Sequence, residues 1–231
     1  MNMLRIVYML ALLIPVSGAA QEGRALIRKV NEVYNDAPGV SMSFVMDYYA
    51  SNTQKMPTVS TKGEVKYDKK HYYSKAMGQT VLVNSRYSLV VSEAQKSISL
   101  FPGNKESLKK QNELTALPDS GLPASAMVTV IAQTATSKRI KIVEQGGLYS
   151  STELLVNLTT YALEEVVFIY RKLENGTVPK VIVRYNQVSF SPLNDELFSE
   201  KKFIQKKNGQ LTAAAAWSGY QIIDLTSTPK Q

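Results

Sequence analysis

Apolar and polar residues alternate with period two over most of this chain. The first run spans residues 40–50 and is followed by a second over residues 59–67. Shorter runs then occupy residues 71–101, separated by turns of two to four residues. Period two is typical of a strand with one apolar face, and strands joined by such short turns pair antiparallel. The first half of the chain therefore predicts an antiparallel meander.

The alternating pattern returns in the C-terminal half. Runs at residues 139–143, 152–158, 163–171, 180–190 and 220–225 predict five further strands. Gly146-Gly147 and Asn175-Gly176 are typical hairpin turns between them. Residues 102–120, rich in lysine and containing proline, break the pattern and predict a loop.

Two segments have helical spacing instead. Leu26, Val30, Val33 and Tyr34 share one face of a helix predicted from about Glu22 to Asp36. The uncharged segment from Leu122 to Thr136 predicts a second helix, packed on the sheet. The fold class that follows is α+β, with a single large antiparallel sheet that twist curves strongly, and with helices on its concave side.

The amino terminus has the features of a secretory signal peptide. Arg5 is followed by an apolar run from Val7 to Val16 and by the small residues 17–20. The run is shorter than the roughly 20 residues that a membrane span needs. We expect residues 1–20 to be cleaved before Gln21, which places the mature protein in the periplasm. The alternative for this segment is a buried N-terminal helix.

Composition and charge narrow the expected partners. The chain has no cysteine, which excludes disulfides, thiolate metal sites and acylation of a cysteine. Its formal net charge is +8, from 27 lysines and arginines against 19 acidic residues. Such a charge favours transient contact with anionic membrane surfaces, and export argues against nucleic acid as a partner.

Catalytic signals are weak. His71 is the single histidine and stands at a strand start between Lys70 and Tyr72, so we predict a surface position for it. Neither a G-x-S-x-G nucleophile motif nor a phosphate-binding loop occurs. The sequence therefore predicts a protein that is not an enzyme and needs no metal or cofactor.

Apolar side chains with adaptable or amphipathic character are plentiful. The chain has 13 tyrosines and eight methionines. Methionine forms adaptable apolar surfaces, and tyrosine combines an apolar ring with a polar tip. The strand faces either line an apolar concavity or form an ordinary core; residues with this potential are Met42, Phe44, Met46, Tyr48, Val65, Tyr67 and Tyr73.

Three early segments and one late segment carry a family resemblance. They read S-M-S-F-V-M-D-Y-Y (41–49), T-K-G-E-V-K-Y-D-K-K-H-Y-Y (61–73), T-V-L-V-N-S-R-Y-S-L-V-V (80–91) and S-P-L-N-D-E-L-F (191–198). In strand order and aromatic content the chain resembles the outer-membrane lipoprotein carriers, the LolA-like proteins. It departs from them at 84–86, where Asn-Ser-Arg replaces the usual Asp-Gly turn, and at 69–70, where Lys-Lys lacks the usual proline.

The resemblance implies that residues 21–231 form a single LolA-like half-barrel domain, an incomplete β-barrel whose helices act as a lid. The function it implies is a monomeric periplasmic carrier of lipid or lipoprotein between membranes, with an apolar cavity for acyl chains. The alternative is a non-catalytic scaffold or interaction subunit of a cell-envelope complex, with partners in the outer or inner membrane. The predicted lipid-binding residues are the seven named above together with Leu122, Met127, Val130 and Ile131 of the second helix.

Overall fold

The computed structural model describes residues 14–103, 122–123 and 125–226. One helix, α1 (Ile14–Asp36), comes first. Six strands follow, which are β1 (Val40–Tyr49), β2 (Val59–Tyr67), β3 (Tyr72–Ala76), β4 (Gln79–Val83), β5 (Tyr87–Ser92) and β6 (Ser97–Pro102). Five more are β7 (Met127–Gln133), β8 (Ser137–Val143), β9 (Tyr149–Asn157), β10 (Leu163–Tyr170) and β11 (Lys180–Ser189). The last are β12 (Ile204–Lys207), β13 (Gln210–Ala213) and β14 (Gln221–Asp224), with short 3₁₀ helices at Asp195–Phe198, Glu200–Lys202 and Ala215–Trp217.

Twelve of these strands form one sheet. Their order is β14-β6-β5-β4-β3-β2-β1-β11-β10-β9-β8-β7, which leaves β14 and β7 as the edges of the described sheet. Neighbours from β2 to β6 and from β7 to β11 pair antiparallel. The predicted fold class, an α+β fold on one large unclosed antiparallel sheet, is confirmed, as are the predicted strands of both halves.

The prediction of a second helix at Leu122–Thr136 is wrong. Residues 127–133 form β7, which pairs antiparallel with β8. The sequence here is Met-Val-Thr-Val-Ile-Ala-Gln, with four β-branched residues in succession, and such residues favour a strand over a helix. Val128 is buried between exposed neighbours, as period two requires. A few apolar residues at helical spacing did not distinguish the two structures.

Two C-terminal features lay beyond the sequence analysis. The hairpin of β12 and β13 turns at Asn208-Gly209, whose φ angles of 51° and 83° suit the Asn-Gly pair. The last strand, β14, was predicted as a strand, but it pairs parallel with β6. A parallel pair needs a long connection. Turn residues between neighbouring strands therefore could not predict that β14 pairs with β6.

The described residues group into two compact units, each with its own apolar core. The first comprises residues 14–35, 46–60 and 122–185. Its core joins Leu26, Ile27 and Val30 of α1 to the strands from β7 to β10. Gly23 allows this approach, because a Cβ there would lie 2.8 Å from Cγ1 of Val128. Strand residues in this core are Val128, Ile140, Ile142, Leu154, Val156, Leu163 and Val166.

The second unit comprises residues 36–45, 61–103 and 186–226. Its sheet contributes Leu82, Leu89, Val91, Ile98 and Leu100, all fully buried. The segment after β11 covers them with three apolar side chains, those of Phe198, Phe203 and Ile204. Burial of each such side chain contributes about 1.5–3 kcal/mol.

A line of ion pairs crosses strands of the first unit. Glu165 accepts a hydrogen bond from Arg139 at 2.9 Å and forms an ion pair with Arg184 at 3.1 Å. Arg184 also donates to Asp47 at 2.6 Å. Asp47 and Glu165 are only 10% and 17% exposed, so their charges are compensated where water is scarce. Both carboxylates therefore hold neighbouring strands together through these ion pairs.

No helix within the described ranges is both long and apolar enough to cross a bilayer. The predicted signal peptide covers residues 1–20, of which 1–13 lie outside the described residues, and α1 begins at Ile14. The predicted loop at 102–120 also lies almost wholly outside them. Both stay predictions, as does the single domain over residues 21–231.

Candidate functional site

An open cleft of about 730 Å³ lies in the second unit, beside β14. Its floor is apolar and belongs to the outer side of the core already described: Tyr87, Leu211 and Ile222 pack against that core, and Ile204 is part of it. The rim is polar and charged. The rim residues are Arg86, Glu200, Lys201, Gln205, Lys206, Gln210, Asp224 and Thr226.

The charges on the rim are unevenly compensated. Arg86 donates to Glu200 at 2.7 Å. Asp224 accepts hydrogen bonds from the backbone N–H and hydroxyl of Thr226, and these bonds lower the pKa of its carboxyl group. Lys201 and Lys206 are exposed and form no ion pair within the part of the chain that the structure describes. Two ammonium groups and the Asp224 carboxylate therefore have no ion-pair partner in the described chain, and basic groups outnumber acidic ones by three to two around an apolar floor.

Asn84 fixes one wall of the cleft. Its side-chain oxygen accepts from the backbone N–H groups of Arg86 and Tyr87, each at 2.9 Å, which shapes the turn between β4 and β5. Its amide nitrogen donates to the carbonyl oxygen of Phe198 and to Glu200, each at 3.0 Å. The turn at 84–86, where the sequence departs from the LolA-like pattern, is thus tied to the segment that carries Glu200 and Lys201.

A second cluster in the same unit joins the β2–β3 turn to the first 3₁₀ helix. The ligating atoms of Asp68, His71 and Asp195 all lie within 4.8 Å of one another. Nδ1 of His71 is 3.1 Å from Oδ2 of Asp68. The imidazole stacks on Phe198 with ring centroids 4.9 Å apart, and the His71 side chain is 17% exposed. His71 is therefore half-buried and less exposed than predicted, because an aromatic partner distant in sequence covers its ring.

Five of the predicted lipid-binding residues belong to the second unit. Met42 is buried, and Phe44, Val65 and Tyr67 are half-buried. The ring of Phe44 lies over Gly63, where a Cβ would be only 2.3 Å from its Cζ. Tyr73 packs against the core and donates its hydroxyl to Glu64 at 3.2 Å; burial raises the pKa of this tyrosine to about 12.

The other six belong to the first unit. Met46 and Val130 are half-buried, and Leu122 packs against the core beside α1. Tyr48, Met127 and Ile131 are 37%, 65% and 45% exposed. Ile131 is the extra residue at a shift of register between β7 and β8. The role of all eleven residues in binding lipid stays a prediction.

The cleft was not predicted from the sequence. Lys201 and Lys206 line the same cleft as Arg86 and β14, and β14 is held there by its parallel pairing with β6. No local sequence pattern predicts that pairing. The sequence signals that were available are the Asn-Gly turn at 208–209 and the apolar residues Ile204, Leu211 and Ile222 on short strands beside the lysines.

No model of a protein family matches the chain, and no curated protein matches it either. Several solved structures are similar to it. An uncharacterized conserved protein from Thermus thermophilus has 8% identity and a TM-score of 0.47, with 86% of this chain and 96% of that chain covered. A putative outer membrane lipoprotein-sorting protein domain from Vibrio parahaemolyticus has 8% identity and a TM-score of 0.36, with 78% and 97% covered. A chain of the MucA/MucB complex from Pseudomonas aeruginosa has 12% identity and a TM-score of 0.40, with 77% and 61% covered.

Proposed function

We propose that this protein is a non-catalytic binding protein of the periplasm that carries lipid or lipoprotein, and that the cleft holds an anionic amphiphile. The observation that carries the proposal is the combination of an apolar floor with a rim where basic groups outnumber carboxylates by three to two, and where Lys201 and Lys206 form no ion pair in the described chain. A phosphate or carboxylate headgroup would pair with the ammonium groups while its acyl chain covers Ile204, Leu211 and Ile222.

The size of the cleft supports this assignment. Small-molecule sites typically have volumes of about 300–1,000 Å³, and the cleft falls in that range with about 730 Å³. Each methylene that an acyl chain buries contributes about 0.8 kcal/mol. Binding of this kind needs no covalent chemistry, in keeping with a non-catalytic role.

The location rests on the predicted signal peptide. Cleavage before Gln21 would keep Leu26, Ile27 and Val30, the described core residues of α1. Removal of Arg5 with the signal peptide would leave a net charge of +7, which favours contact with anionic lipid headgroups during loading or release.

A scaffold role is the second candidate, and a different observation favours it. Many core side chains of each unit are fully buried within the chain itself. At the same time the edge strand β7 has no charged residue and exposes Met127 and Ile131. Uncharged edge strands are a recognised place for another chain to pair.

Purified mature protein, residues 21–231, tests the proposal. Native mass spectrometry and lipid extraction should find bound amphiphile, and titration should show tighter binding of lysophosphatidylglycerol than of lysophosphatidylcholine. The double variant Lys201→Glu/Lys206→Glu should bind the anionic lipid about tenfold more weakly or worse, since each basic side chain near an anionic headgroup contributes about 1 kcal/mol.

The matched control is Lys62→Glu/Lys172→Glu, which reverses two exposed charges outside the cleft. It should bind as the unmodified protein does. Loss of binding in Met127→Gln or Ile131→Gln, with the cleft variant unaffected, would move the ligand to the residues predicted from sequence. Absence of lipid together with stoichiometric capture of an envelope protein would favour the scaffold.

A further inference from the structure

We infer that Asp68, His71 and Asp195 form a binding site for a divalent transition-metal ion, with Zn²⁺ as the best fit. One imidazole and two carboxylates are ligands that zinc accepts, at about 2.0–2.2 Å from each donor atom. Tetrahedral ligands at such lengths lie about 3.4 Å apart. The three donor atoms are already within 4.8 Å of one another, so small side-chain rotations suffice to close the site.

Hydrogen bonds to the backbone orient the first carboxylate. Oδ1 of Asp68 accepts from the N–H groups of Lys70 and His71 at 2.6 and 2.7 Å, which turns Oδ2 toward the imidazole. Partners of this kind outside the ligand set fix ligand orientation in metal sites and raise affinity. The orientation exists without the ion and would not have to be created on binding.

The first 3₁₀ helix supplies the remaining parts. Phe198 stacks on the His71 ring, with an interplanar angle of 14°, and holds it in place. Asp195 stands at the start of the same helix, and within the described residues its carboxylate makes no ion pair or hydrogen bond. This carboxylate, together with the imidazole and the second carboxylate, gives a cation three donor groups.

The donor set selects among cations. Mg²⁺ and Ca²⁺ prefer oxygen ligands alone, whereas imidazole nitrogen suits zinc, nickel and copper. The nearby Lys69 and Lys70 are exposed and make no ion pair with either aspartate in the described chain. With three protein ligands, water would complete the coordination sphere.

Such an ion would clamp the β2–β3 turn to the segment that leads into the cleft. Glu200 and Lys201 follow Phe198 closely, so occupancy of the site would restrict the motion of that wall. Because the ligands meet only in the folded chain, binding would also stabilise the fold.

Chelator-treated, tag-free protein should bind Zn²⁺ with one-to-one stoichiometry by calorimetry. Its melting temperature should rise by about 5–10 °C at a hundredfold excess over Kd. Mg²⁺ should cause no such shift. Asp195→Asn should weaken zinc binding at least about tenfold, while Asp36→Asn, the same change at an exposed position on α1, should leave it intact.

Asp195→Asn decides the matter, because Asp195 is exposed and its replacement leaves the core untouched. His71→Gln removes a second ligand and should also weaken zinc binding. When Co²⁺ is bound in place of zinc, the unmodified protein should show Co²⁺ absorption bands that His71→Gln lacks. Zinc binding that Asp195→Asn leaves unchanged, or no saturable binding in the unmodified protein, would overturn the assignment. Neither result depends on whether the cleft binds lipid.

Discussion

At the scale of single residues, Asn84 shows why one position can set a local structure. It is 6% exposed and uses both ends of its amide, as acceptor for the β4–β5 turn and as donor to the C-terminal segment. Aspartate would retain the acceptor role but supply no donor. It would also place a second negative charge beside Glu200.

We therefore expect Asn84→Asp to lower the free energy of unfolding by about 1–3 kcal/mol, since buried partners lose their hydrogen bonds. Urea denaturation of the variant and the unmodified protein measures the difference. Asn208→Asp, in the exposed β12–β13 turn, is the control and should change stability little, because aspartate also tolerates that turn. Equal stability of Asn84→Asp and the unmodified protein would refute this role.

The contacts of single residues also show which parts of a site can be predicted from sequence and which cannot. Phe44 and Gly63 lie in two of the segments that carry the resemblance, and the structure brings them together so closely that no side chain would fit between the ring and the backbone at Gly63. His71, in contrast, could not be placed from its neighbours Lys70 and Tyr72. Its partners Phe198 and Asp195 are more than 120 residues away, and no periodicity reports such a contact.

At the scale of elements, strands were predicted well and the segment 122–136 was not. The alternating pattern predicted strands joined by turns at Gly146 and Gly176. The structure contains these turns, and the two glycines have φ angles of 87° and 83°. The uncharged segment is compatible with both the helical period and the strand period. It forms a strand because it pairs with β8. The consequence is that α1 alone, among the described elements, covers the first core as a helix.

The fit of α1 on β7 gives a prediction at this scale. Gly23→Val should destabilise the protein by about 1–3 kcal/mol through overpacking against Val128, because even a Cβ at position 23 lies 2.8 Å from that side chain. Ala25→Val, on the exposed face of the same helix, introduces the same side chain and should cost only about 0.5 kcal/mol of helix propensity. Thermal and urea unfolding compare the two.

A similar loss in both variants would mean that helix propensity accounts for the effect. The packing of α1 against β7 would then be looser than the distance indicates. Restoration of stability in the double variant Gly23→Val/Val128→Ala would locate the cost at this contact.

At the scale of the whole molecule, several tyrosines with raised pKa values predict loss of stability in alkali. Burial raises the pKa of Tyr34 to about 12, and its hydroxyl accepts from the N–H of Leu163 at 3.1 Å. Burial likewise raises the pKa of Tyr185. A folded-state pKa above the unfolded value means that the stabilisation is complete below pH 10 and is lost as the pH rises toward 12.

Between pH 9 and pH 11 the free energy of unfolding should therefore fall, with about 1 kcal/mol of the decrease due to Tyr34. Tyr34→Phe should be less stable at pH 9, having lost the acceptor for Leu163, yet show a shallower decrease to pH 11. Tyr48→Phe, at a position that is 37% exposed, is the control. A decrease of unchanged slope in Tyr34→Phe would contradict the assignment.

The parallel pairing of β14 with β6 has a consequence for how the chain is made. Synthesis delivers the amino terminus first, and Ser97–Leu100 emerge more than 100 residues before their partners Gln221–Asp224. Until then the outer hydrogen-bonding groups of β6 have no strand beside them, and such edges recruit other chains. Nascent or prematurely ended chains would thus be prone to aggregate at β6, which makes this edge the expected point of contact for a folding helper.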